Sequence, residues 1–390
     1  MFKIIRTYLV IITISILIGV YFFEFFLLNN LHKKTIYKEY ERKTGKKYDE
    51  RNKAEVFFDL KKDNAKVVVD MPTFLWVDNK NIMPLSGISN SYTIFCNENG
   101  YYSNYISDRY GFNNPDEEWN KTETEFVLVG DSFVQGACVN RPNDIASNLR
   151  KKNNNVLNLG YETNGPLSQL ASLKEFLPKN TKNIIWFFYE GNDLNDLERE
   201  KNSNILSAYL NKKTFSQGLK NKQKEVDDFL KSKLLEFEEI YAEQLLDDNK
   251  IKYKILKFIR LDKTKEFLFE KNSLKNTDSG IKKNIKFDYT LFEKILLEAK
   301  EISEINNSNF YIVFLPWYYR YDKGLEVFSY KKIKKIVIEN NINFIDIHES
   351  VFSKEKFPLK NFPFQKFGHY NTIGYNKVAE MINKIVINNE

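Results

Sequence analysis

The sequence predicts an α/β protein with a doubly wound parallel sheet of about five strands, a helical insertion and an N-terminal transmembrane helix. Three observations predict it. Apolar runs recur at 125–130, 155–160, 183–190, 309–316 and 343–347. They are near-continuous instead of alternating, as strands covered on both faces require. Helical periodicity fills the gaps, at 167–177, 289–305, 330–339 and 372–387, where Val378, Ile382 and Ile385 share one face.

Taken in order, residues 1–6 form a short basic tail with Lys3 and Arg6. Residues 7–28 are apolar and interrupted only by Glu24, roughly the 20 residues that cross a bilayer as a helix. No small-x-small cleavage pattern follows, so the segment is expected to be an uncleaved signal anchor. Residues 29–65 are highly charged and predict a partly helical stalk. Residues 66–118 form a β-rich lead-in, with short runs at 66–70 and 92–95, and 119–390 form the α/β domain. Between the third and fourth runs, Val226, Leu230, Leu234, Phe237, Tyr241 and Leu245 recur at helical spacing. They predict a helical insertion over about 200–285. A lid, a dimer contact, a partner surface and a plain covering helix all fit it.

Orientation is contested. Lys33, Lys34, Lys38, Arg42, Lys43, Lys46 and Lys47 outnumber Lys3 and Arg6, which favours a cytoplasmic domain by the positive-inside rule. The short tail, and the ease with which long domains translocate, favour an extracytoplasmic one, which is the expectation here.

Composition narrows the function. The 390 residues carry a net charge of +7, and 15 % are aromatic. So much ring surface excludes a disordered chain, and so mild a charge is no nucleic-acid footprint. The two cysteines, Cys96 and Cys138, lack metal-ligand spacing. No metal or other cofactor is expected, a disulfide is left open, and Cys138 is expected in the core of the first helix. Only His32, His348 and His369 are available for histidine chemistry. His32 lies beside the membrane segment and His348 on or near the fifth strand.

In an open parallel sheet, ligands bind beyond the carboxyl ends of the strands. Gly130-Asp131-Ser132 follows the first run, Thr163-Asn164-Gly165 the second and Gly191-Asn192-Asp193 the third, while Gly368-His369-Tyr370-Asn371 precedes the last helix. A serine hydroxyl needs a base to become a nucleophile, and His369 is the histidine placed to serve. Acyl transfer also needs donors for the developing oxyanion. The N–H of Ser132, an N–H within Thr163 to Gly165, and the Asn192 amide are the candidates. Asp131 is expected to be a turn residue.

These four blocks, in this order, resemble the SGNH (GDSL-type) hydrolase superfamily over about residues 120–390. The resemblance implies a flavodoxin-like three-layer fold, with Ser132 as nucleophile, His369 as base and Asn192 as an oxyanion donor. Ser107 to Asn113 also looks like the lead-in of membrane-anchored bacterial members. Two positions depart from the pattern. The second-block glycine falls at Thr163, with Gly165 the alternative register. The aspartate expected three residues before the histidine is replaced by Lys366, followed by Phe367. A backbone carbonyl or Asp346 is then left to orient the imidazole.

The resemblance implies a serine esterase or O-acyltransferase acting on O-acetyl groups of cell-envelope glycans. A transferase would take its acetyl groups from a separate membrane protein. The alternative is an inactive glycan-binding or assembly protein on the same fold, suggested by the missing aspartate and the altered glycine.

Overall fold

The computed structural model describes residues 2–28, 31–152, 154–249, 251–265, 267–268, 287–325, 329–366 and 368–387. Phe367 and residues 250, 266 and 269–285 of the expected insertion lie outside the described residues. The chain forms two compact units: Met1–Tyr48 with Phe237–Ile285, and Asp49–Glu236 with Lys286–Glu390.

The first unit begins with α1 (Phe2–Leu28), whose stretch Ile4–Leu28 is long and apolar enough to cross a membrane. Helix α2 (Leu31–Thr44) follows.

In the second unit, the structure differs from the expected stalk. Helix α3 (Lys53–Lys61) begins in a capping box made by Asn52 and Glu55, and it packs on β1 (Val67–Val69) through buried residues such as Phe57. Residues 49–65 therefore belong to the folded unit, because α3 has an apolar face that the strand covers. Strand β1 pairs in parallel with β2 (Tyr92–Ile94), which pairs antiparallel with β3 (Asn104–Ile106).

The main sheet comprises β4 (Thr124–Val129), β5 (Val156–Asn158), β6 (Thr181–Tyr189), β7 (Asn309–Leu315) and β8 (Asn343–Asp346). All pairings are parallel and the order is β5-β4-β6-β7-β8. Counted within this sheet, that is the 2-1-3-4-5 order of flavodoxin-like folds, with the switch point at β4.

Helices α4 (Ser132–Gln135) and α5 (Ile145–Arg150) follow β4, and α6 (Pro166–Phe176) follows β5. Helices α7 (Asp193–Glu200) and α8 (Asn204–Asn211) follow β6. The opening part of α9 (Gln223–Asn249) buries Val226, Leu230 and Leu234. These three residues of the expected helical stripe lie in this unit, which runs to Glu236. Helix α10 (Ile251–Ile259) belongs to the first unit. The second unit resumes with α11 (Tyr289–Ile305), α12 (Tyr318–Asp322), α13 (Ser329–Glu339), α14 (Ile347–Ser350) and α15 (Thr372–Val386).

Helices α6, α8 and α11 pack together as one layer, and α5 packs with α15 in another. Strand β6 shows why the apolar runs are continuous. Phe187 joins the cluster of Phe133, Tyr370, Tyr375 and Ile382, while Phe188 meets Phe292 at 5.3 Å. Adjacent side chains of a strand point to opposite faces, so both must be apolar when both faces are covered. Truncating Phe188 to Ala would cost about 3–5 kcal/mol.

Candidate active site

Ser132 opens α4 directly after β4, at the carboxyl edge of the sheet. The cap of that helix is Asp131, whose Oδ1 accepts from the Phe133 N–H at 2.9 Å. Asp131 thus fills the expected turn role and leaves the Ser132 hydroxyl uncommitted to capping. His369 precedes α15, whose cap is Asn371, accepting from the Ile373 and Gly374 N–H groups.

The fold brings the two together. Ser132 Oγ lies 2.8 Å from His369 Nε2. The imidazole packs on Phe133 at a centroid distance of 4.6 Å, and Phe133 packs on Tyr189 and Tyr370. The ring is therefore fixed by its packing as well as by its bonds.

The carboxylate that holds the ring is Glu98, from the loop after β2. Its Oε1 lies 3.1 Å from His369 Nδ1, and its Oε2 accepts from the His369 N–H at 2.6 Å. An Nδ1–H held by a carboxylate leaves the Nε2 lone pair facing the serine hydroxyl, the tautomer that can take its proton. Gly368 makes room for this contact. It has φ +104°, and a Cβ there would run into Glu98 Oε2.

Asp346 is not the orienting group. It caps α14, with Oδ1 accepting from the Glu349 N–H at 3.0 Å and Oδ2 from the Tyr330 hydroxyl at 2.6 Å. A carboxylate ending a strand before a helix finds its donors locally. His348 likewise pairs with the Tyr321 hydroxyl, Nδ1 to Oη 2.8 Å.

Cys138 is not a core residue of the first helix. It lies beyond Gly136, the αL residue that ends α4, and forms a disulfide with Cys96. The bond ties the loop carrying Glu98 to the segment leaving Ser132. Glu98, Cys138 and His369 each bring a potential ligand atom within 4.8 Å of the others. The Cys138 sulfur is in the disulfide and offers no thiolate, so this donor set does not fit a metal ion.

Thr163 adopts φ +63°, a backbone shape that glycine takes at least cost, and its side chain is held by Thr73 Oγ1 at 3.2 Å. Among the described residues, the N–H groups of Ser132 and Thr163 have no acceptor. Gly165 is a correction: its N–H donates to Glu200 Oε1 at 2.8 Å, and Leu167 N–H to Glu200 Oε2 at 2.9 Å. Glu200 thereby caps α6, and Gly165 has no free donor. The Asn192 amide donates to Asp196 Oδ2 at 2.7 Å.

Several carboxyl groups are buried nearby. Burial pushes Asp131 up to about 6, against the Phe133 N–H and the His369 charge. Burial pushes Asp196 up to about 8 and Glu200 up to about 7. For His369, burial disfavours the charged ring. The Glu98 charge and hydrogen bond, with Asp131 behind them, overcome it and raise the imidazole above its ordinary value. A shallow hollow lies beside Thr163, lined by Phe74, Asp196 and Arg199 among others.

The rest of the lead-in braces this site. Buried Asp108 accepts from Asn114 Nδ2 and Trp119 Nε1, while Asn113 Nδ2 donates to the Gln135 carbonyl at the end of α4.

Fold and site together define a class: a flavodoxin-like α/β protein with a Ser–His–Glu constellation at the switch point of its sheet. Protein-family models and curated proteins give no match to the chain. Among solved structures, it is similar to a member of the lipolytic protein G-D-S-L family from Veillonella parvula, at 13 % identity and a TM-score of 0.37. The alignment covers 68 % of this chain and 98 % of that one. It is also similar to a putative lipolytic protein of G-D-S-L family from Desulfitobacterium hafniense, at 13 % identity and a TM-score of 0.32, covering 68 % of this chain and 100 % of that one.

Proposed function

We propose that this chain is a serine esterase or O-acyltransferase of SGNH type, working through an acyl-enzyme on Ser132. The observation that carries the reading is the line Ser132 Oγ, His369, Glu98, with contacts of 2.8 and 3.1 Å. In this mechanism Oγ attacks the ester carbonyl carbon while its proton passes to His369 Nε2. The carbonyl oxygen becomes an oxyanion met by the N–H groups of Ser132 and Thr163 and the Asn192 amide. The tetrahedral intermediate collapses, the C–O bond to the alcohol breaks, and the imidazolium returns the proton to the leaving oxygen. Water or a sugar hydroxyl then attacks the acyl-enzyme, with His369 again as base.

The substrate reading is an O-acetyl ester of a cell-envelope glycan, reached by a domain anchored through α1. The disulfide supports an extracytoplasmic domain, since such bonds persist in oxidising compartments. A maleimide reagent that cannot cross membranes, applied to intact cells under reducing conditions, tests this side: unlabelled cysteines in intact cells, labelled after lysis, would refute it. Transfer, in place of hydrolysis, requires an acetyl donor, supplied in this reading by a separate membrane protein. Product analysis with an acetylated donor and a glycan acceptor separates the two. Glu98 beside His369 weighs against the inactive alternative, which rests on the missing aspartate and the altered glycine.

The direct test is a fluorophosphonate probe on the purified full chain. Labelling is expected in wild type and lost in Ser132→Ala and His369→Ala. A folded wild-type chain that takes no label would overturn the enzyme reading.

A further inference from the structure

Within the first unit, a charged residue in an apolar helix has a specific partner. Glu24, near the end of α1, is buried, and its Oε1 accepts from the Lys263 N–H at 2.9 Å. Its Oε2 accepts from the Thr264 N–H and from the Thr264 hydroxyl, each at 2.7 Å. Glu24 thus caps the helical segment that follows α10, satisfying N–H groups that a first turn leaves unpaired. The contact is extended on both sides. The Tyr21 hydroxyl donates to the Ile259 carbonyl at 3.1 Å, Tyr21 meets Phe258 at 5.5 Å, and Phe23 meets Phe267 at 5.5 Å. The end of α1 is therefore packed against Phe258, Ile259, Lys263, Thr264 and Phe267.

This packing leaves apolar side chains uncovered. Ile255 is 53 % exposed, Ile259 56 % and Leu268 50 %, with Leu256 and Phe267 also exposed. On α1, Phe22, Phe25 and Phe26 are exposed as well. Helix α10 has nine residues, far short of the roughly 20 that cross a bilayer. Residues 250–268 carry six Lys and Arg260 against Asp262 and Glu266. A short helix with exposed apolar residues, in a strongly basic segment, fits the boundary between headgroups and acyl chains of an anionic bilayer.

We propose that α10 and the segment following it form an interfacial membrane element, docked to the anchor by Glu24 and lying on the anionic surface that α1 enters. This does not rest on the catalytic reading. It also accounts for Glu24, which a purely lipid-facing helix would not tolerate at low cost.

The test uses the full chain in phosphatidylcholine vesicles with about one part in three phosphatidylglycerol. Nitroxide labels are placed singly at Ile255→Cys, Ile259→Cys and, as a water-facing reference, Lys335→Cys. Without reductant, the native cysteines are in their disulfide and take no label. Labels at 255 and 259 are expected to collide with oxygen and to be shielded several-fold from a nickel chelate relative to 335. Nickel access equal to that at 335 overturns the proposal, and so does shielding from both reagents, which means protein cover. Glu24→Ala should raise nickel access at 255 while α1 stays membrane-bound, and no change refutes the docking role. Unchanged shielding in pure phosphatidylcholine refutes the requirement for anionic lipid.

Discussion

Replacing Glu98 by Gln changes one atom of the site and removes its negative charge. Both carboxylate oxygens now accept, one from His369 Nδ1 and one from the His369 N–H. An amide has one acceptor oxygen and one donor group, so it can serve only one of these. If the oxygen stays on the backbone N–H, the shorter contact at 2.6 Å, the NH₂ faces Nδ1. That arrangement selects the tautomer with hydrogen on Nε2, which cannot take the Ser132 proton. The charge lost is also the one that stabilises the imidazolium. A unit charge 3.1 Å away contributes about 5 kcal/mol at an effective dielectric of ~20. At ~1.36 kcal/mol per decade this predicts a fall of roughly 10³ to 10⁴-fold. The assay is the second-order rate of fluorophosphonate labelling, with circular dichroism and melting to show that the fold is intact. The acid limb of the pH profile is a second readout. His369 acts as base only when neutral, and Glu98 raises its pKa, so wild-type activity should fall as pH drops through a value above ~6.5. In Glu98→Gln that limb should move to lower pH. A folded variant that labels within tenfold of wild type, with an unmoved limb, would refute the role given to Glu98.

Asn192→Ala should slow labelling by about 10²–10³-fold, the usual effect of losing one oxyanion donor, with the chain still folded; a change under threefold would exclude Asn192 from the oxyanion site. Reducing the Cys96–Cys138 bond opens a loop with a sequence separation of 42 and should lower stability by about 4 kcal/mol. Urea midpoints with and without dithiothreitol measure this, and coincident midpoints would contradict it. Asp196 has its pKa raised by burial to about 8. Between ~4 and ~8 the folded state then holds a proton that the unfolded state has lost, so stability declines as pH rises across that window, by up to ~1.4 kcal/mol per pH unit. Asp196→Asn should flatten the slope of urea midpoint against pH, and parallel slopes would show that Asp196 does not titrate there.

Five strands of the main sheet, and the helices between them, were legible in the sequence because both faces of each strand are covered. Coverage on two sides writes a continuous apolar run, and the order of those runs with polar turns after them marks the carboxyl edge. Ser132 and His369 were legible for the same reason: each sits at the junction of a strand or loop with a helix, where local chemistry is readable. Asp346 misled because a carboxylate at the end of a strand looks available until its Tyr330 and Glu349 partners are seen. Gly165 misled because its donor is taken by Glu200, 35 positions along the chain.

By itself, then, the sequence determined the α/β architecture, the apolar N-terminal helix and the serine and histidine that meet. These follow from periodicity and from neighbours along the chain. Only the tertiary structure decided which carboxylate holds the imidazole. Glu98 lies 271 positions before His369, and no repeat or spacing connects them. What connects them is the loop after β2, tied by the Cys96–Cys138 bond to the turn that follows Ser132. A hydrogen bond depends on distance in space, and periodicity along the chain reports only which faces are covered.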